Sequence, residues 1–300
     1  MKQYPLVQIV VINFNGLNDT VECLESLSNI NYKNYQILVV DNGSQYHELA
    51  IIKKKFPFLK YKENKKNIGF TGASNQGMRY GLSQKADYVL LLNNDTIVTK
   101  DFLDILVNYG ETHKKVGILS PKILYHNTDC VWSMGGYISS FTGIIKMIGK
   151  NTKTSLWINK TYPMFITGCS MLIKSKIIKQ IGLMNEKYFA YFEDVDYSFR
   201  ARKQQYGLIV IPESIIYHKK KLKLYKFKYN AIQPFQAYLQ GRNSIIFAKT
   251  YFKRIRLIWF IISHTFFKVL FITLTGSSFI SLKSFFYGLK DGFVGKLHID

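Results

Sequence analysis

Three apolar runs in the first third of the chain each give way abruptly to amides, carboxylates and hydroxyls. Leu6 to Ile12 ends at Asn13-Phe14-Asn15-Gly16, Tyr35 to Val40 at Asp41-Asn42-Gly43-Ser44, and Tyr88 to Leu92 at Asn93-Asn94-Asp95-Thr96. Apolar runs without alternation, rich in branched side chains, mark strands covered on both faces. Helical spacing separates them. Val21, Leu24, Leu27 and Ile30 follow Asn18-Asp19-Thr20, which offers an N-cap, and Tyr46 to Phe56 forms a second amphipathic stretch closed by Pro57. Leu59 to Tyr61 predicts a short strand. The glycine-rich stretch Asn67 to Gly77 predicts a loop leading into a helix that ends near Gly81. This alternation predicts a mostly parallel sheet over about the first 120 residues, with right-handed crossovers. The three polar strand ends then lie on one edge, where ligands of open α/β sheets bind. One acid after a strand is as readily a turn-former or a helix cap. Two acidic strand ends beside a glycine-rich loop point to a nucleotide crevice.

Beyond this series the pattern is less regular. A helix over Asp101 to Gly110 precedes a strand pair within Val116 to Tyr125, broken at Pro121. Cys130 to Tyr137 and Phe141 to Ile148 read as hairpin strands. Pro163 to Ile173 predicts a strand-turn element containing Thr167-Gly168, and Lys174 to Ile181 a short helix stopped by Gly182. Phe189-Ala190-Tyr191-Phe192 then runs into Glu193-Asp194-Val195-Asp196. A helix starting at Asp194 would be capped by it and would pair Asp196 with Arg200. Glu193 and Asp194, beside a wall of Tyr and Phe, fit either a simple acidic N-terminus or a general base with a raised pKa. Gly207 to Ile211 and Ser214 to Tyr217 predict two strands around Pro212-Glu213. His218 ends the second, as a structural histidine or as a ligand for a divalent ion.

Composition shifts at Lys219. Lys219-Lys220-Lys221, Lys223, Lys226 and Lys228 open a basic region that continues through Arg242, Lys253, Arg254 and Arg256, with acids scarce before Asp291. Leu257 to Thr275 is strongly apolar, but Lys268 near its middle counts against a membrane span. Aromatic, apolar helices flanked by basic residues suit the interface of an anionic leaflet, and helices packed on the preceding domain are the alternative. Net charge is +22 and 47% of residues are hydrophobic, which demands an anionic partner and excludes a disordered chain. Nothing matches a nucleic-acid-binding motif, so a membrane surface or a phosphorylated ligand is expected instead. Cys23, Cys130 and Cys169 have no disulfide or metal spacing, and residues 1–5 begin no signal peptide; reduced thiols and no export are expected. Residues 1–229 form the expected catalytic domain, with a nucleotide-binding half to residue 120 and an acceptor half over 121–229. Residues 230–300 form a helical region.

The ordered set of motifs resembles the family 2 glycosyltransferases, and most of all their bacterial rhamnosyltransferase-like branch. It comprises Ile9 to Gly16, Val39 to Ser44, Asn67 to Phe70, Leu91 to Thr96, Thr167-Gly168 and Phe192 to Asp196. The resemblance spans roughly residues 5 to 245. It implies a GT-A type Rossmann-like mixed α/β sheet flanked by helices, a UDP- or dTDP-sugar donor, and inversion at the anomeric carbon. It also implies that Asn13, Asn15, Asp41, Gly43, Ser44, Asn67, Gly69, Phe70, Asn93 and Asn94 bind the donor. Asp95, matching the last position of the DXD motif, and His218 would hold Mg²⁺ or Mn²⁺. Asp194, with Glu193, would supply the base, and Thr167, Gly168 and Tyr191 would face the acceptor. Asn93 departs from the motif by bringing no charge to its first position. With the basic tail, the expectation is a peripheral enzyme on the cytoplasmic face of the plasma membrane, acting on a lipid-linked glycan for surface polysaccharide. A membrane-bound inactive transferase-like scaffold and a basic nucleic-acid-binding protein are the rival readings.

Overall fold

The computed structural model describes residues 4–139, 143–220, 222 and 231–296. Its central strand is β1 (Val7–Asn13), parallel to β2 (Tyr35–Asp41) on one side and to β4 (Tyr88–Asn93) on the other; β3 (Lys60–Glu63) extends the sheet beyond β2. Register sets Asn13 beside Asp41 and Ile12 beside Asn93, so the three polar strand ends share one edge. The crossovers are α1 (Leu17–Leu27), α2 (Glu48–Lys55) and α3 (Gly69–Ser83). Alternate strand residues feed two cores. Ile9, Val11, Leu90 and Leu92 pack with Leu24 and Leu27, while Val10, Val89 and Leu91 pack with Ala73 and Met78. Each of these buried aliphatic side chains contributes about 1.5–3 kcal/mol of transfer free energy.

Past β4 the sheet turns mixed. β6 (Val116–Tyr125) and β11 (Gly207–His218) are parallel to each other, and β10 (Ser170–Lys174) runs antiparallel between β4 and β6. The short β5 (Thr96–Val98) is antiparallel on the far side of β11. β7 (Val131–Ser133) pairs with β6, and β8 (Gly136–Ile138) with β9 (Ile145–Met147) forms the expected hairpin. Helices α4 (Phe102–Thr112), α5 (Ser175–Ile181) and α6 (Glu193–Lys203) complete this half. The tail comprises α7 (Pro234–Tyr251), α8 (Arg254–Leu274) and α9 (Phe279–Val294).

Several local expectations change. The α1 N-cap is Gly16, not Asn18 to Thr20. The glycine-rich stretch is not a loop before α3 but its opening turns, because Gly69 takes φ +81° and starts the helix directly. β6 and β11 are single strands that run through their prolines. The register of β11 skips from Ile211, opposite Pro121, to Ile215, opposite Lys122, so a bulge containing Pro212 faces the missing N–H of Pro121. Asp194 is not the N-cap but lies in the first turn: the N-cap of α6 is Phe192, in the left-handed region. The Asp196–Arg200 pair does form, at 3.0 Å. Lys221, Lys223, Lys226 and Lys228 of the basic run lie outside the described residues, as do Phe141 and the boundary at 229.

Candidate active site

The edge that carries the three polar strand ends is a hydrogen-bonded frame. Asn13 is fully buried, and its Nδ2 donates to Asp41 Oδ1 (2.8 Å), Ser44 Oγ (3.0 Å) and Glu48 Oε2 (2.9 Å). The second oxygen of Asp41 accepts from the Ser44 N–H, and Ser44 Oγ accepts from the Asn15 N–H. Asn94 Nδ2 donates to Thr20 Oγ1 at 2.9 Å. Asn42 ties this frame to the next segment, donating to Asn67 Oδ1 and accepting from the Ile68 N–H. These polar groups are largely committed to holding the strand-end loops together. Asn93 differs: its backbone pairs with Cys169, while its side chain lines the cleft without a protein hydrogen bond among the described residues. A cavity of about 340 Å³ opens here between Phe14, Asn42, Asn67, Phe70, Asp95 and Phe235. Phe14 and Phe235, both half exposed, present rings on which a base could stack.

Asp95 and His218 meet because β5 pairs with β11, which places Thr96 opposite His218. His218 Nε2 lies 3.0 Å from Asp95 Oδ1, and Lys220 Nζ lies 3.2 Å from Asp95 Oδ2. Burial pushes the Asp95 carboxyl up, but the His218 hydrogen bond and the Lys220 ammonium outweigh it and hold the group at about 2. The His218 ring is buried edge-on to Trp132, with centroids 4.4 Å apart, and its Nδ1 has no partner among the described residues. A carboxylate oxygen and an imidazole nitrogen in contact are suitable donors for Mg²⁺ or Mn²⁺. Among the described residues no cluster of three or more His, Cys, Asp or Glu exists. The pair therefore fits an ion that takes its remaining ligands from a bound diphosphate and water, and not a self-sufficient protein cage.

Adjoining this pair is a cavity of about 550 Å³ whose far wall carries Glu193 and Asp194 at the start of α6. Gly168 N–H donates to Asp194 Oδ2 (3.0 Å) and Val195 N–H to Oδ1 (2.8 Å), which fixes the carboxylate plane. Burial raises the Asp194 pKa, and those two N–H groups restrain the rise. Glu193 is pushed well above the usual carboxylate range, first by burial and then by the charge of Asp194; its Oε2 has no partner. Thr167, Gly168 and Tyr191 line the same cavity, with Phe70 packed against Gly168.

The loop before α6 is strained. Phe189, Tyr191 and Phe192 all have positive φ, which costs of order 1–3 kcal/mol each for such residues. Partners from two sides hold it. Thr71 N–H donates to Phe189 O, and a Cβ on Gly69 would lie 2.5 Å from that oxygen, so only glycine fits. From α7, fully buried Asn243 donates to Ala190 O (2.8 Å) and Tyr191 O (2.7 Å), and Arg242 Nη2 donates to Lys187 O (2.9 Å). Sequence reading counted Arg242 and Lys220 only as basic charge and gave Asn243, Phe14, Trp132 and Phe235 no part in the site. Burial pushes the Cys23 thiol up to about 12 and raises Cys169 well above its ordinary value, so neither is a nucleophile.

Comparison with known proteins agrees with this architecture. At 22% identity the chain resembles the low-salt glycan biosynthesis hexosyltransferase Agl10 of Haloferax volcanii, over 83% of this chain and 77% of that one. At 21% it resembles the N-acetylglucosaminyl-diphospho-decaprenol L-rhamnosyltransferase of Mycobacterium tuberculosis, over 72% and 76%. The fold matches the mannosyltransferase PcManGT of Pyrobaculum calidifontis, solved with GDP-Man and Mn²⁺, with a TM-score of 0.61 at 11% identity over 98% of this chain and 89% of that one. It also matches GalNAc-T7, solved with UDP, GalNAc and Mn²⁺, with a TM-score of 0.61 at 16% identity; there the match covers 87% of this chain but only 55% of the longer enzyme. The fold is therefore that of the GT-A glycosyltransferases. Residues 8–181 match the model of glycosyl transferase family 2, and the chain belongs to that family.

Proposed function

We propose that the protein transfers a sugar from a UDP- or dTDP-sugar to a hydroxyl of a lipid-linked glycan, with inversion, in the assembly of a surface polysaccharide. The observation that carries the chemistry is the Asp194 carboxylate, oriented by two backbone N–H groups in the cavity that His218 and Lys220 also line. In one displacement the acceptor oxygen bonds to the anomeric carbon as the bond from that carbon to the diphosphate breaks. Asp194 takes the hydroxyl proton, and its raised pKa makes it a better base than an exposed carboxylate. Lys220 offers a fixed positive charge to the departing diphosphate. A divalent ion held by Asp95 and His218 would supply further neutralisation of that charge.

Two features support the acceptor and the location. The mycobacterial relative is named for a sugar carried on a lipid diphosphate. Helix α8 is long and apolar enough to cross a membrane by length and composition, but its Ser263 and His264 face inward. It exposes Ile255, Ile258, Trp259, Ile262 and Phe266 beside exposed Lys253, Arg254 and Arg256, as expected of a helix lying in an anionic interface on the cytoplasmic side.

The test begins with a thermal-shift screen of nucleotide-sugars with and without Mn²⁺, since a donor that binds the native protein stabilises it. With the donor found, the new linkage is read by proton NMR. Inverted anomeric configuration is expected, and retention would rule out a single displacement. Chelation should stop nucleotide release and Mn²⁺ should restore it, with His218→Ala raising the Mn²⁺ concentration required. Release undiminished by exhaustive chelation would remove the metal role from Asp95 and His218.

A further inference from the structure

A third cavity, of about 240 Å³, lies behind Asp194 and Glu193, between the β8–β9 hairpin and the tail helices. It adjoins the cleft, and Met147, Tyr191, Glu193 and Asp194 line both. Most of its wall is apolar, yet it gathers unpartnered polar atoms. Glu193 Oε2, Gln240 Oε1 and His264 Nε2 are all buried without a hydrogen-bond partner among the described residues. Residues 193 and 264 are themselves only 6% and 4% exposed. An unmade hydrogen bond at a buried polar group costs about 1–3 kcal/mol, so the concentration of such groups in one wall calls for a ligand.

The chemistry of that ligand follows from the donors and acceptors. His264 Nδ1 lies 3.1 Å from Gly143 O, and a carbonyl can only accept, so Nδ1 carries the proton. Burial, with the neighbouring Lys268, lowers the His264 pKa to about 4, which leaves a neutral ring whose Nε2 is a bare acceptor. Gln240 presents a carbonyl oxygen, and the Glu193 carboxyl can donate or accept. One turn beyond His264 on α8, Lys268 lines the cavity and packs over the Phe271 ring. Bare acceptors stand beside a cationic donor. An inorganic anion would leave these acceptors unmet, whereas a ring bearing several hydroxyls donates to each and accepts from the lysine.

We propose that this cavity is an acceptor subsite in which Gln240, His264 and Lys268 hold one sugar ring so that its neighbouring hydroxyl meets Asp194. The assignment rests on the transferase reading and adds to it: the C-terminal helices build part of the substrate site, in addition to any contact with a membrane. The apolar outer face of α8 begins on the other side of the same helix, so a lipid-borne sugar could enter from that side.

The test uses the full chain in detergent, saturated with UDP and Mn²⁺, and a set of methyl glycosides as probes. Saturation-transfer NMR should detect at least one glycoside. Its affinity should fall at least tenfold in Gln240→Leu and in Lys268→Met, two substitutions that keep side-chain bulk. UDP titration reports the donor edge, which these residues do not touch, and should match wild type in both. Lys283→Met on α9, remote from the cavity, should leave glycoside binding intact. If UDP binds but no glycoside does, or if glycoside binding survives both substitutions, the subsite is wrong while the transferase reading stands. If neither UDP nor dTDP binds the wild-type chain, it is the transferase reading that fails.

Discussion

The donor edge of the sheet and the tail helices face the same cleft but hold it by different means. At the donor edge, Asn13, Asp41, Ser44 and Glu48 form a closed frame in which each polar group answers another from a neighbouring strand end. The frame is rigid because it is satisfied. On the other side, α7 reaches into a loop with three left-handed residues and holds it through Asn243 and Arg242, while Gln240 Oε1 of α7 and His264 Nε2 of α8 have no hydrogen-bond partner among the described residues. The satisfied region presents a surface, and the unsatisfied one waits for a substrate.

Removing the base is the largest blow to the acceptor side and should leave the donor side untouched. Asp194→Asn keeps the shape and the hydrogen bond from Gly168 but cannot take the proton. Transfer should fall by about 10²–10⁴-fold, the usual contribution of general base catalysis, with the donor dissociation constant unchanged by titration. The pH profile carries the same signature. A base works only when ionised and burial raises the Asp194 pKa, so activity should be lost as pH falls through a value above that of an exposed aspartate. Wild-type transfer persisting in the variant would move the base elsewhere in the cleft.

Legibility in the sequence follows the same divide. Strands β1, β2 and β4 declared themselves because runs buried on both faces leave few alternatives, and their polar ends landed on one edge through simple parallel register. The contact of Asp95 with His218 was named only through resemblance. It depends on a three-residue strand, β5, pairing with β11 across 123 positions of sequence, and local pattern says nothing about that. Pro121 and Pro212 misled the reading for a related reason: each breaks a ladder locally, and only the pairing of β6 with β11 shows that one bulge absorbs both. Arg242 and Asn243 were invisible because their partners are backbone carbonyls, which carry no sequence signal.

A milder cut tests whether α7 truly holds the catalytic loop. Asn243→Ala strips Ala190 O and Tyr191 O of their donor, and leaving buried carbonyls unpaired costs about 1–3 kcal/mol. Relaxation of the left-handed residues would shift Asp194 from its place. A fall in kcat of about tenfold is expected, with donor affinity retained and melting lowered by a few degrees. Asn243→Asp, which cannot donate, should behave like the alanine variant. Loss of stability without loss of kcat in either variant would reduce α7 to a packing helix and weaken the contrast between the two sides.

The smallest effect concerns the outer face of α8. Lys253 is exposed and stands beside exposed Ile255 and Arg254 at the start of that helix. If the helix lies on an anionic leaflet, each basic residue near the surface adds about 1 kcal/mol, or roughly a fivefold change in partition. Lys253→Gln should therefore weaken sedimentation with phosphatidylglycerol vesicles about fivefold, and added salt should shrink the difference as the charges are screened. Binding to uncharged phosphatidylcholine vesicles should not change, nor should transfer to a water-soluble acceptor, because Lys253 lines neither the cleft nor the cavity behind it. A partition that ignores both the substitution and the lipid charge would leave the inward face of α8, with His264 and Lys268, as the reason this helix stands where it does.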